Sequence, residues 1–157
     1  MSHDIVPAPS LAELDRQYRV WADIEPRFRD TDAMGHVNNA VFVTYLEIAR
    51  QEYWARFRSA GDYSQVPFVV ARVEIDFQSP VKVGDVVRAY LRTRYVSRSS
   101  FSMTYALHDL ASGRPVARAE TILVTYDWER ECSMPVPEWV QSGLSQVEGA
   151  TLPSRPE

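Results

Sequence analysis

The sequence predicts an α+β domain in which a strongly curved antiparallel sheet surrounds one long helix. Three observations carry that expectation. A single apolar stripe at helical spacing, formed by Phe42, Leu46, Ala49, Tyr53 and Phe57, runs through residues 39–58. Beyond it the period changes from 3.6 to 2, in four runs over 71–77, 86–96, 101–107 and 116–126. Short Gly, Pro, Asp and Ser connections separate those runs, as hairpins require. A lone amphipathic helix must bury its stripe, and the sheet face is the only large surface available.

Each element has its own signal. Residues 18–29, YRVWADIEPRFR, mix aromatic and β-branched side chains and read as a first strand. Pro26 cannot donate to a ladder, which argues for an edge position or a bulge. A polar, turn-rich segment, DTDAMGHVNN, fills 30–39. Asn38 or Asn39 can cap the helix that follows, and Gly61 stands where a stop signal belongs. In the strands, Ala71, Val73, Ile75 and Phe77 share one face opposite Arg72, Glu74 and Asp76. Val87, Ala89, Leu91, Thr93 and Tyr95 repeat the pattern, as do Phe101, Met103, Tyr105 and Leu107. The last run sets Val116 through Tyr126 against Ala117, Ala119, Thr121 and Leu123. The expected layout is a flexible arm at 1–11, one domain at 12–144 and a flexible tail at 145–157, both ends being small and polar with prolines.

Composition narrows the classes. At 45% hydrophobic residues the chain can pack a core and is not expected to be disordered. A net charge of −4 gives no basic surface for nucleic acid. One cysteine, Cys132, excludes an intramolecular disulfide and a cysteine-cluster zinc site. No cationic start followed by an apolar run resembles a signal peptide, and no membrane-length apolar stretch occurs. The expectation is a cytoplasmic protein without membrane or nucleic-acid partners.

Chemistry concentrates in residues 30–39, where two aspartates, a histidine and two asparagines precede the helix. A helix start presents unpaired N–H groups that suit an anion or a polarised carbonyl oxygen. Asp32 beside such donors can serve acyl transfer as base or nucleophile. The same residue types equally suit a plain capped loop, and composition alone does not separate the two.

The run RFRDTDAMGHVNNAVFVTYLEIARQEYW, residues 27–54, resembles the signature of the 4-hydroxybenzoyl-CoA thioesterase family of the hotdog superfamily. It carries Asp30-Thr31-Asp32, Gly35-His36-Val37-Asn38-Asn39, and Glu47 with Arg50. Residues 73–87, VEIDFQSPVKVGDVV, and 97–107, SRSSFSMTYAL, resemble the downstream strands of that family. The resemblance implies a hotdog fold, with subunits joining edge to edge as a homodimer or homotetramer and active sites at the interface. It implies an acyl-CoA thioesterase, without metal or redox cofactor, in which Asp32 is catalytic. Backbone N–H groups of Asn39, Ala40 and Val41 would polarise the carbonyl. His36 would orient substrate or carboxylate, since plant acyl-carrier-protein thioesterases have a similar HVNN run with a functional histidine and asparagine, and a plain polar loop histidine is the alternative reading. Asn38, Ser99, Ser100 and Arg98 are further candidates for substrate contact.

Other residues have simpler readings beside functional ones. Asp30 suits loop shaping. Glu47 matches a helix-borne glutamate used by one branch of hotdog thioesterases, but with Arg50 it also suits an ion pair. Arg88, Arg92, Arg94 and Arg98 share a parity that can hold coenzyme A phosphates or form a solvated face. Phe28, Met34, Phe42, Tyr45 and Tyr63 are candidates for the acyl pocket. The competing functions are an acyl-carrier-protein thioesterase and a non-catalytic acyl-thioester binding module.

Overall fold

The structure, a computed structural model, describes residues 8–58 and 67–156. Five antiparallel strands form the main sheet in the order β1-β3-β4-β5-β2, with a short β6 paired to β5. They are β1 (Val20–Ile24), β2 (Phe68–Phe77), β3 (Val87–Val96), β4 (Ser100–Asp109), β5 (Pro115–Asp127) and β6 (Cys132–Ser133). Three helices join them: α1 (Leu11–Gln17), α2 (Val41–Trp54) and α3 (Glu138–Glu148). The inner face of the curled sheet packs on α2, and the expected hotdog arrangement is present.

The predicted stripe is the core of α2. Phe42, Leu46, Ala49 and Tyr53 are buried, and Tyr45 and Trp54 widen the stripe. They meet Leu91, Phe101, Met103, Leu107 and Leu123 of the sheet in one cluster. Residues 55–58 leave the helix as turns, so Phe57 packs from just beyond its end. Gly61 and Tyr63 lie outside the described residues.

Several boundaries differ from expectation, each for a physical reason. The first strand is short and lies at a sheet edge, with Pro26 after it and a 3₁₀ turn at Phe28–Asp30. β2 is the other edge and is mostly exposed, including Val70, Val73 and Phe77. Residues 11–17, for which the pattern predicts no element, form α1. Its signal is a capping box: Glu13 N–H donates to Ser10 Oγ (3.4 Å) and Ser10 N–H to Glu13 Oε2 (2.7 Å). Leu14 then covers Tyr90 and Ala106 on the outer face of the sheet. α3 continues to Glu148, into the segment 145–157 expected as a tail. The Glu148 carboxylate accepts from Tyr53 O–H (2.6 Å) and Thr93 N–H (2.7 Å). The chain then returns along β3, where Val96 N–H donates to Pro153 O (3.0 Å).

The arginine row survives in part: Arg88, Arg92 and Arg94 stay on the outer face of β3, whereas Arg98 leaves it in the turn that follows. The β3–β4 register shifts between Thr93 and Tyr95. Arg88 binds Asp23 through two bonds of 2.7 and 2.8 Å, and Arg94 pairs with Glu120. Glu47 and Arg50 form no ion pair. Glu47 is exposed, whereas Arg50 turns inward and donates to the Tyr105 hydroxyl at 3.3 Å.

Candidate active site

Asp32 opens a tight turn immediately before α2. Thr31 and Val37 form a bridge, Asp32 N–H donates to His36 O (2.8 Å), and Gly35 N–H donates to Asp32 O (3.0 Å). Gly35 has φ +76°, a left-handed conformation that a side chain would strain. Asp32 Oδ1 accepts from Met34 N–H (2.8 Å) and His36 N–H (3.3 Å). Its Oδ2 has no hydrogen-bond partner among the described residues. Two backbone donors therefore orient the carboxylate while one oxygen stays available.

A second carboxylate holds the turn in place. Asp30 is buried and accepts from Arg27 N–H (2.9 Å), the Arg27 guanidinium (2.9 Å) and the Tyr45 hydroxyl (3.2 Å). The Asp30 carbonyl accepts from Asn38 N–H at 2.9 Å. The Arg27 guanidinium, with the backbone and Tyr45 donors, holds the Asp30 carboxyl below its usual range against burial. Asp30 thus shapes the loop from beneath, with Tyr45 fixed to it rather than lining a pocket.

At the head of α2 the three expected donors separate. Ala40 N–H donates to Asn38 Oδ1 (2.9 Å) and Val41 N–H to Asn38 O (2.9 Å). Both are consumed within the chain. Asn39 N–H has no partner among the described residues, so it is the donor left for a ligand. The Asn38 side chain caps the turn that leads into α2, whose own N-cap position is Ala40, and Asn39 takes no such part.

These groups border an open cleft of about 530 Å³ lined by Asp32, Met34, His36, Asn38 and Asn39 on one side. Phe42, Phe77, Gln78, Ser79, Pro80 and Val81 complete it. Val37 N–H donates to Val81 O at 2.8 Å and ties the two walls together. Arg114 braces the far wall through Pro80 O at 2.8 Å. The His36 ring stands in the cleft without a side-chain bond to Asp32. Sequence reading misses the 77–81 wall, whose only signal is the Ser79-Pro80 end of a strand. Phe28 and Met34 are 87% and 77% exposed, so only Met34 meets the cleft, from its rim.

Arg98, Ser99 and Ser100 do not line this cleft. Arg98 and Ser99 lie in the β3–β4 turn and Ser100 opens β4; Ser99 O accepts from Thr125 N–H (2.9 Å) and Arg98 O from Val136 N–H (2.8 Å). Among the described residues, no group of three or more His, Cys, Asp or Glu side chains is placed to hold a metal. No helix among them is long and apolar enough to cross a membrane.

A hotdog sheet curled on one helix, with a carboxylate turn and an open N–H at that helix's start, defines a class: the thioester hydrolases of this fold. The chain belongs to the Thioesterase-like superfamily, whose family model matches residues 26–144. It is 31% identical over 126 residues to a 1,4-dihydroxy-2-naphthoyl-CoA hydrolase of Synechococcus elongatus, covering 75% of this chain and 89% of that one. A thioesterase of Thermus thermophilus, solved with coenzyme A and Zn, superposes with a TM-score of 0.76 at 34% identity over 90% of this chain and 98% of that one. A 1,4-dihydroxy-2-naphthoyl-CoA thioesterase from Synechocystis shares the fold, with a TM-score of 0.72 at 22% identity over 80% and 94% of the two chains.

Proposed function

We propose that this protein hydrolyses an acyl-CoA thioester, with Asp32 as base or nucleophile and Asn39 N–H polarising the thioester carbonyl. The observation that supports it most is the pairing in one cleft of a backbone-oriented carboxylate and an uncommitted N–H. As base, Asp32 Oδ2 takes a proton from water while the water oxygen bonds to the carbonyl carbon. The π electrons move to oxygen, where the Asn39 N–H stabilises them. Collapse breaks the C–S bond, sulfur leaves with the electron pair, and the Asp32 carboxyl returns the proton to the thiolate. As nucleophile, Asp32 instead bonds to the carbonyl carbon, expels the thiolate and forms an anhydride that water opens. His36 and Asn38 border the bound thioester in this reading.

The active oligomer is a homodimer or a dimer of dimers. Support comes from β2, an edge strand whose exposed Phe77 lines the cleft and whose exposed Val73 also needs cover. In such an assembly Arg98, Ser99 and Ser100 reach a cleft of the partner. A cytoplasmic location fits a coenzyme A substrate.

The test is thiol release from short, long and aromatic acyl-CoAs and from matched acyl-carrier proteins, by wild type and Asp32→Asn. Asn keeps the Oδ1 acceptor, so the turn should fold normally. Loss of about a hundredfold or more in rate with unchanged melting supports the reading. Full activity of Asp32→Asn would sink it, and tight binding without turnover would favour a binding module. Label in Asp32 after a single turnover in ¹⁸O water would establish the nucleophile route, because only water opening the anhydride at the Asp32 carboxyl carbon puts it there. Light scattering reports the oligomer, and a monomer at working concentration would contradict the assembly.

A further inference from the structure

We propose that the outer face of the sheet carries a second binding site, for a small carboxylic acid with an apolar body. The site is a cavity of about 410 Å³ between α1 and the outer faces of β4 and β5, within the size range of small-molecule sites. It lies across the sheet from the inner face that packs on α2. Three arginines (Arg92, Arg94 and Arg118) and three carboxylates (Glu74, Asp76 and Glu120) line it, and Arg72, bonded to Glu74 from outside the lining, adds a fourth cation. Glu74 pairs with Arg72, and Glu120 is held by Arg94 and Ser102. That leaves Arg92, Arg118 and Asp76. Arg92 lies over the Tyr18 ring at 5.2 Å and pairs with no carboxylate among the described residues. Arg118 stands opposite Asp76 in the β2–β5 register without pairing to it. Two guanidinium groups against one exposed carboxylate favour an anion.

The cavity also holds a buried hydroxyl: Thr104 Oγ1 has no hydrogen-bond partner among the described residues. A buried polar atom without a partner is costly, and a ligand oxygen relieves that cost here once the Thr104 side chain turns its sealed hydroxyl toward the cavity. His108 lines the same floor, its Nδ1 engaged with Gly113 O at 3.0 Å. Leu14, Tyr18 and Ala106 supply an apolar wall. Cations, one free hydroxyl and an apolar wall together suit an amphipathic carboxylate better than bare phosphate. Thioester hydrolysis releases that class of compound. This link to turnover rests on the hydrolytic reading, whereas binding itself does not.

Titration calorimetry with 2-naphthoate tests the site, using wild type, Asp32→Asn, Arg118→Ala and Thr104→Val. Arg118 is exposed and Thr104→Val conserves shape, so both variants should fold and release thiol at the wild-type rate. The expected result is a saturable site present in wild type and Asp32→Asn and weakened at least tenfold in Arg118→Ala and Thr104→Val. Inorganic phosphate should bind at least tenfold more weakly than naphthoate. No saturable binding, binding unaffected by Arg118→Ala, or equal binding of phosphate would each overturn the proposal. Thiol release from the same preparations reports separately on hydrolysis.

Discussion

The Asn38 amide oxygen accepts the Ala40 N–H at 2.9 Å, and that bond decides which donors at the head of α2 remain open. Asn38→Ala removes the cap and is expected to cost about 1 kcal/mol. Asn38→Asp retains an acceptor and should recover nearly all of it. Urea midpoints of the three proteins check this, and equal midpoints would contradict the capping role.

Tyr45 links the central helix to the turn that bears Asp32 through buried Asp30. Tyr45→Phe leaves the ring packing intact and removes one bond to a charged acceptor, at a cost of about 1.5 kcal/mol. Because the turn also positions Asp32, kcat should fall by up to about tenfold with KM little changed. A stability loss without any kcat effect would confine Tyr45 to the core.

The Arg27–Asp30 pair predicts acid sensitivity with a definite sign. Bonds from Arg27 lower the Asp30 pKa below its ordinary value of 3.8. The resulting stability is fully present above that value and disappears as pH falls through the lower folded value. Asp30→Asn should be less stable at neutral pH and show a shallower loss below about pH 4. Parallel stability curves for the two proteins would argue against the pair.

Gly143 shows packing overriding propensity. An alanine there gains about 1 kcal/mol of helix propensity, yet its Cβ would sit 2.2 Å from the Phe57 ring. Overpacking of that kind costs about 1–3 kcal/mol. Gly143→Ala is therefore expected to lower the melting temperature, and a rise would mean that Phe57 relaxes freely.

Glu47 and Arg50 should behave as independent residues. Glu47→Ala is expected to change stability by less than about 0.5 kcal/mol. Arg50→Ala removes the donor to Tyr105 and should cost more. A double-mutant cycle returning a coupling above about 0.5 kcal/mol would restore the ion pair.

Local periodicity by itself determined the fold class, the central helix and four of the five main strands. The α2 stripe and the alternating runs are properties of neighbours in the chain, so tertiary context only moved their ends, shortening α2 and β3 and lengthening β2, β4 and β5. The turn bearing Asp32 was legible for the same reason, since its glycine, its Asx residues and the helix start all lie within ten residues. Tertiary structure decided what depends on contacts distant in sequence. It placed the 77–81 wall beside Asp32, folded α1 onto the outer face and carried α3 to its lock on Tyr53. It also turned Arg50 away from Glu47, tied Arg88 and Arg94 of the arginine row to carboxylates and left Arg98 in the turn. Among the three helix-start donors, the side chain of Asn38 engaged one and its carbonyl another, leaving Asn39. A backbone N–H is the same in every residue but proline, so only the geometry around it shows which one is free.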